Sequence, residues 1–190
     1  MPPARDPAKL LEAARAGDRA ALARLITIAE ASPEAEIPGL AGTPLPHVIG
    51  LTGSPGAGKS SLLDRLTGEL ARSGDKPAVL GVDPTSPFTG GALLGDRVRM
   101  SEDTLAAGVF VRSMASRGST GGLARAVGAA VRVLGAAGFS PVLVETVGAG
   151  QGEVAIGDLA DTVIVVLVPG MGDDIQMLKM GVLEIADVYA

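Results

Sequence analysis

Three kinds of residue sit close enough together in this chain to do chemistry: a lysine, serine hydroxyls and backbone amides freed by glycine. They occur in Gly53-Ser54-Pro55-Gly56-Ala57-Gly58-Lys59-Ser60-Ser61, where Gly53, Gly58, Lys59 and Ser60 fall at the spacing of a Walker A loop. Glycines permit backbone angles that turn several N–H groups toward one anion. At such a loop Lys59 adds a positive charge at the β- and γ-phosphates, and the Ser60 hydroxyl is placed to ligate Mg²⁺. The chemistry implied is capture of a nucleoside triphosphate. A glycine-rich turn that happens to contain Lys-Ser is the plainer alternative, and the flanking residues weigh against it. Val48 and Ile49 precede the loop, and Leu62, Leu63, Leu66 and Leu70 follow at helical spacing, so strand, loop and helix come in the required order.

Magnesium takes oxygen ligands and keeps several waters, so one hydroxyl, phosphate oxygens and one or two carboxylates suffice. Ser60 with a combination of Asp83, Asp96 and Glu145 meets that need. Asp83 ends the short apolar run Ala78–Val82, and Glu145 ends Pro141–Val144. Parallel α/β sheets bind ligands at the carboxyl ends of their strands, so both acids are expected on one rim. Asp83 before Pro84 also suits a turn, Asp96 a helix N-cap, and Glu145 a solvated strand end. Arg97 and Arg99 can offset phosphoryl charge or simply face solvent. Gly148 follows Glu145 as in the Asp-x-x-Gly element of GTPases, but Ala149 stands where small GTPases carry a water-orienting Gln, and the nearest Gln is Gln151. Slow turnover without a partner is the expectation.

These residues need a scaffold, and the pattern supplies one. Residues 7–31 read as two short amphipathic helices divided at Gly17-Asp18, and 32–46 hold four prolines and two glycines, too many for a periodic element. The division expected is an N-terminal helical arm and linker over 1–45, an appendage to a nucleotide-binding domain over 46–190. Strands are expected at Val48–Ile49, Ala78–Val82, Val109–Arg112, Pro141–Glu145 and Thr162–Val168, the last read as central because it is the most apolar run. Helices are expected after the glycine loop, as a turn over Asp96–Met100, over Leu123–Ala137 and over Ile175–Ile185, with one more strand opening at Asp187. Strands alternating with helices give an α/β fold, a mostly parallel sheet with helices on both faces.

The 190-residue composition narrows the classes further. Net charge is −5, which argues against a nucleic-acid partner held by bulk electrostatics. There is no Cys and one His, so disulfides and thiolate or His-cluster metal sites are excluded, and His47 reads as a bystander to the first strand. No secretory signal opens the chain and its apolar runs are short and broken, so no membrane association and a cytoplasmic location are expected.

Beyond the glycine loop, Val82-Asp-Pro-Thr-Ser-Pro87, Gly95-Asp-Arg-Val-Arg-Met100, Glu145-Thr-Val-Gly-Ala-Gly-Gln151 and Val168-Pro-Gly-Met-Gly-Asp-Asp174 follow in order. Together these motifs resemble the MeaB/ArgK-type G proteins, the family of the methylmalonic aciduria type A protein, from about residue 46 onward. The resemblance implies a P-loop NTPase fold of the SIMIBI-like G-domain kind, with GTP or GDP and Mg²⁺ as ligands. It implies a chaperone that gates adenosylcobalamin loading into a B12-dependent acyl-CoA mutase and protects that enzyme. It also implies a first switch from Asp83 to about Arg99, with Asp83 and Asp96 near Mg²⁺, and a second beginning at Glu145. A third, about Val168 to Lys179, would use Asp173 and Lys179 to couple mutase contact to hydrolysis; on general grounds Lys179 is equally a solvated helix residue. The family's base-reading Asn-Lys-x-Asp and its dimerisation helices are expected beyond Ala190, so the sequence is expected to be a fragment of a homodimeric protein. An ATP-dependent kinase or ATPase of basic amino-acid transport is the alternative. A nickel-insertion GTPase would carry more Cys and His than this chain has.

Overall fold

The computed structural model describes residues 6–84, 100–116, 120–146, 156–168 and 181–190, with the side chains of 83, 84, 115, 116 and 120–123 outside that description. Six strands form one sheet: β1 (Val48–Gly53), β2 (Ala78–Pro84), β3 (Phe110–Ser116), β4 (Val142–Thr146), β5 (Thr162–Val166) and β6 (Val188–Tyr189). Their spatial order is β3-β2-β4-β1-β5-β6 and every pairing is parallel. Such a sheet must be covered on both faces, and β4, flanked by β1 and β2, is buried at every residue. The most apolar run in the sequence, β5, is not the middle strand. Among the described strands it lies second from one end of the order, with the two-residue β6 beyond it, and it stops at Val166.

Alternation along the strands sorts the core into two layers. Val48, Leu80, Val142, Val144, Val163 and Val165 belong to one buried cluster. Leu51, Val79 and Leu143 belong to the other, with Ile49 and Ile164 packed against it. The second layer is closed by helix α3 (Lys59–Arg72), through Leu63 with Leu62, Leu66 and Leu70. A five-residue helix, α4 (Glu102–Ala106), lies beside α3; the sequence pattern missed it, since one turn is too short for periodicity to show.

The first layer is closed by α5 (Thr120–Ala136) and, against it, by α1 (Pro7–Arg15) and α2 (Arg19–Ala31). Asp6 and Asp18 cap the two N-terminal helices by accepting amide hydrogens from Ala8, and from Ala20 and Ala21. Leu11, Leu22, Leu25 and Ile26 are buried within the same cluster as Val133 and Leu134 of α5. Rather than an appendage, the helical arm is part of the main core. Polar contacts reinforce the docking. Arg112 of β3 donates to Glu30 Oε1 and Oε2 at 2.8 and 3.0 Å, and Arg15 donates to the Ala136 carbonyl at 3.0 Å. The proline-rich linker is held as well: a Cβ at Gly135 would stand 2.6 Å from Pro46 Cδ, so only glycine lets the linker lie this close to α5. Of the expected helix over 175–185, the described part is a 3₁₀ turn, Val182–Ile185.

Candidate functional site

The glycine loop leaves β1 at its carboxyl end and leads through α3 to β2 on the β4 side of the sheet, whereas the connection out of β4 leads to β5 on the other side of β1. A strand order that diverges on either side of one strand opens a crevice above it, the usual ligand position in such folds. Gly53 adopts φ 140° and a Cβ there would lie 2.3 Å from the Val166 carbonyl oxygen, so the loop departs from the sheet through a gap that admits no side chain. Gly58, at φ 91° and ψ 15°, is the N-cap of α3 and supplies no side-chain cap. The first-turn amides of α3 are therefore not claimed by a capping side chain, and the positive end of the helix faces the loop. Ser54 is buried, whereas Pro55, Gly56, Ser60 and Ser61 are exposed and Ala57 is intermediate.

Lys59 is 7% exposed and folds back over the loop, its Nζ donating to the carbonyl oxygens of Gly53 at 2.7 Å and Ser54 at 2.9 Å. A buried ammonium must be hydrogen-bonded, and here the loop's own carbonyls do it. Glu145 reaches the same place from β4. It stands opposite Leu51 in register and shares a strand face with Leu143, which directs it toward α3. Its Oε1 accepts from Ser60 Oγ at 2.7 Å. On the opposite face of the same strand ends, Thr146 Oγ1 and Thr52 Oγ1 are 3.2 Å apart, a buried pair the sequence pattern did not single out. The threonines at the last turns of two apolar strands were the available signal.

The structure thus brings Lys59, Ser60 and Glu145 together with Gly53–Ser61. Asp83 lies in β2 near its carboxyl end, one strand beyond β4, with its side chain outside the described residues. Asp96, Arg97, Arg99, Gly148, Ala149, Gln151, Asp173 and Lys179 also lie outside them. The donor set that is described suits magnesium: a hydroxyl and a carboxylate, both hard oxygen donors, already within hydrogen-bond distance of each other. His47 sits at the other end of β1, exposed, with Nε2 3.1 Å from Thr162 Oγ1, far along the strand from the loop. No described helix is long and apolar enough to cross a membrane.

Beside this site a cleft of about 870 Å³ runs between α3 and α4, lined by Ser60, Ser61, Asp64, Arg65, Ser101 and Asp103 among others. Asp64, one turn after Ser60, accepts from the Ser101 amide at 2.9 Å and the Ser101 hydroxyl at 3.1 Å. Partial desolvation acts to raise its pKa, but the hydrogen bonds from Ser101 and Thr104 and the charge of Arg65 outweigh it. The carboxyl is held below the ordinary aspartate value.

Comparison with known proteins agrees with this geometry. Residues 22–190 match the family described as methylmalonyl Co-A mutase-associated GTPase MeaB. A Pyrococcus abyssi relative is 52% identical over 187 residues, covering 95% of this chain and 57% of its own length. A Caenorhabditis elegans protein named methylmalonic aciduria type A homolog, mitochondrial, is 42% identical over 141 residues, covering 74% of this chain and 35% of its own. The crystal structure of an LAO/AO transport system kinase superposes over the whole chain with a TM-score of 0.67 at 27% identity, and the chain spans 57% of it. The chain therefore spans little more than half the length of the Pyrococcus relative and of this structural neighbour. With the glycine loop, the Ser60–Glu145 contact and the parallel sheet order in place, the family match fixes the assignment: this chain belongs to the MeaB family.

Proposed function

We propose that this chain is the nucleotide-binding part of a GTP hydrolase that gates adenosylcobalamin loading into a B12-dependent acyl-CoA mutase of the methylmalonyl-CoA type and protects that enzyme. The observation that carries the nucleotide reading is the convergence of Lys59, Ser60 and Glu145 on an α3 start without a side-chain cap. The family description, a mutase-associated GTPase, supports the partner. In this reading Lys59 exchanges the carbonyls of Gly53 and Ser54 for the β- and γ-phosphate oxygens, while the backbone N–H groups of the Gly53–Ser61 loop, which Pro55 lacks, hold the phosphate tail. Ser60 and Glu145, with Asp83 and Asp96, would hold magnesium, which when bound neutralises charge on the transferring phosphoryl group. Asp173 and Lys179 would link mutase contact to hydrolysis. With Ala149 where a water-orienting Gln would stand, turnover is slow until a partner completes the site. The full-length protein acts as a cytoplasmic homodimer.

The test is a calorimetric titration of the full-length protein with GDP and with ADP in Mg²⁺, followed by capture on an immobilised GTP analogue in the presence of an acyl-CoA mutase. Selective GDP binding and co-capture of the mutase are expected. Preference for ADP without mutase capture overturns the reading. That outcome favours an ATP-dependent kinase or ATPase of basic amino-acid transport, in keeping with the name of the structural neighbour, an LAO/AO transport system kinase.

A further inference from the structure

Thr52 and Thr146 end two strands whose other residues on that face are Val48 and Gly50 in β1, and Val142 and Val144 in β4. Thr52 is fully enclosed and Thr146 nearly so. Valine has the same shape and carries no polar atom into such a layer, whereas a buried hydroxyl must find a partner. These two find each other: Thr146 Oγ1 lies 3.2 Å from Thr52 Oγ1, and 3.4 Å from the Leu51 carbonyl oxygen. The contact falls where backbone pairing of the two strands stops. Their register runs from Val48 opposite Val142 to Leu51 opposite Glu145, after which β1 stays paired with β5 as far as Gly53 opposite Val166. Thr52 directly precedes Gly53, and Thr146 directly follows Glu145. A ring is thereby closed: along the chain from Thr52 to Ser60, across 2.7 Å to Glu145, and through Thr146 back over 3.2 Å to Thr52.

We propose that Thr52 and Thr146 are positioning residues for magnesium–nucleotide binding: their hydroxyl pair fixes the strand end that carries Glu145 against the root of the glycine loop, and so keeps the carboxylate in line with Ser60. The idea rests on the nucleotide reading given above. Consecutive residues of a strand face opposite ways, so the threonines act through Glu145 and from behind it. Groups that orient metal ligands without touching the metal commonly change metal affinity by about 10- to 100-fold when removed. A hydroxyl pair that served packing alone is replaceable by two valines without loss, since neither side is then left unpaired.

The experiment measures GDP affinity with Mg²⁺ and with EDTA in the full-length protein, alongside a thermal melt of each variant without nucleotide. The double variant Thr52→Val with Thr146→Val is expected to lose about tenfold of the magnesium-dependent gain in affinity, while its EDTA affinity and its melt stay at wild-type values. Thr52→Ser and Thr146→Ser keep the hydroxyls and are expected to keep the gain. In a Glu145→Gln background the two valines are expected to cause no further loss, because the group they act through is already gone. A full gain in the double valine variant, a loss that also appears in the serine variants, or an equal loss with and without Glu145 overturns the proposal. Wild-type protein that binds no nucleotide overturns the function reading, and this assignment with it; wild-type gain retained by the valines overturns this assignment alone.

Discussion

The two faces of the sheet are built to different standards. One is closed by α5 and, against it, by α1 and α2, with Leu25, Ile26, Val133 and Leu134 all fully enclosed and the Arg112–Glu30 pair fastening the outer helix to β3. The other, among the described residues, is closed by α3 with the short α4, and the described residues enclosed there are Leu51, Leu63, Val79, Val109 and Leu143. Lys59, Ser60 and Glu145 all stand at the rim of this thinner side. A deep cover supplies cooperative stability, whereas a site that admits and releases a ligand needs a face with room beside it, here the α3–α4 cleft. Stability and chemistry are thus divided between opposite sides of the same strands.

The sharpest way to break that division is to damage the deep face and look for an effect at the thin one. Leu134→Ala, at a fully buried position, is expected to cost about 4 kcal/mol of folding free energy in a urea melt, with nucleotide affinity of the folded fraction unchanged. The converse is Lys59→Ala. It is expected to weaken nucleotide binding at least about a hundredfold, near 3 kcal/mol, by calorimetry, while the melt barely moves. An affinity that stays at the wild-type value would remove Lys59 from the site. Glu30→Ala tests the fastening of the outer helix. Its carboxylate and the Arg112 guanidinium are 24% and 20% exposed, so losing the pair is expected to cost about 2 kcal/mol, less than for a fully buried charge.

The smallest effect belongs to Asp64. Its folded pKa is lowered, so its contribution to stability is fully present above the ordinary aspartate value and is lost as the pH falls through the lower, folded one. An acid melt of Asp64→Asn should therefore converge on wild type at low pH and separate from it toward neutrality. A constant gap across the range would assign the difference to something other than ionisation.

Much of this was legible because it follows from short-range rules. The glycine loop, the short apolar runs of β1, β2 and β4, and the placement of Glu145 at a strand's carboxyl end all depend on neighbours within a few residues or on a general property of parallel sheets. What escaped depends on distant partners. That the run at Thr162–Val166 lies to one side of β4 and β1 in the order of the described strands is decided by where the chain crosses over, which hydrophobicity does not record. Residues 7–31 were legible as helices, but their docking required Arg112 and Leu134 to be in place, about a hundred residues away. Asp64 and Ser101 gave no pattern because their pairing joins α3 to a helix of a single turn.

The docking of the first two helices has a practical corollary. Trimming the protein to residues 46–190, the obvious cut for anyone wanting only the phosphate-binding half, would strip the outer lining from Val133 and Leu134 and leave Arg112 without its counter-ion. Such a shortened protein would present a sticky aliphatic strip to water and self-associate, and the resulting loss of activity would be misread as evidence about the catalytic residues.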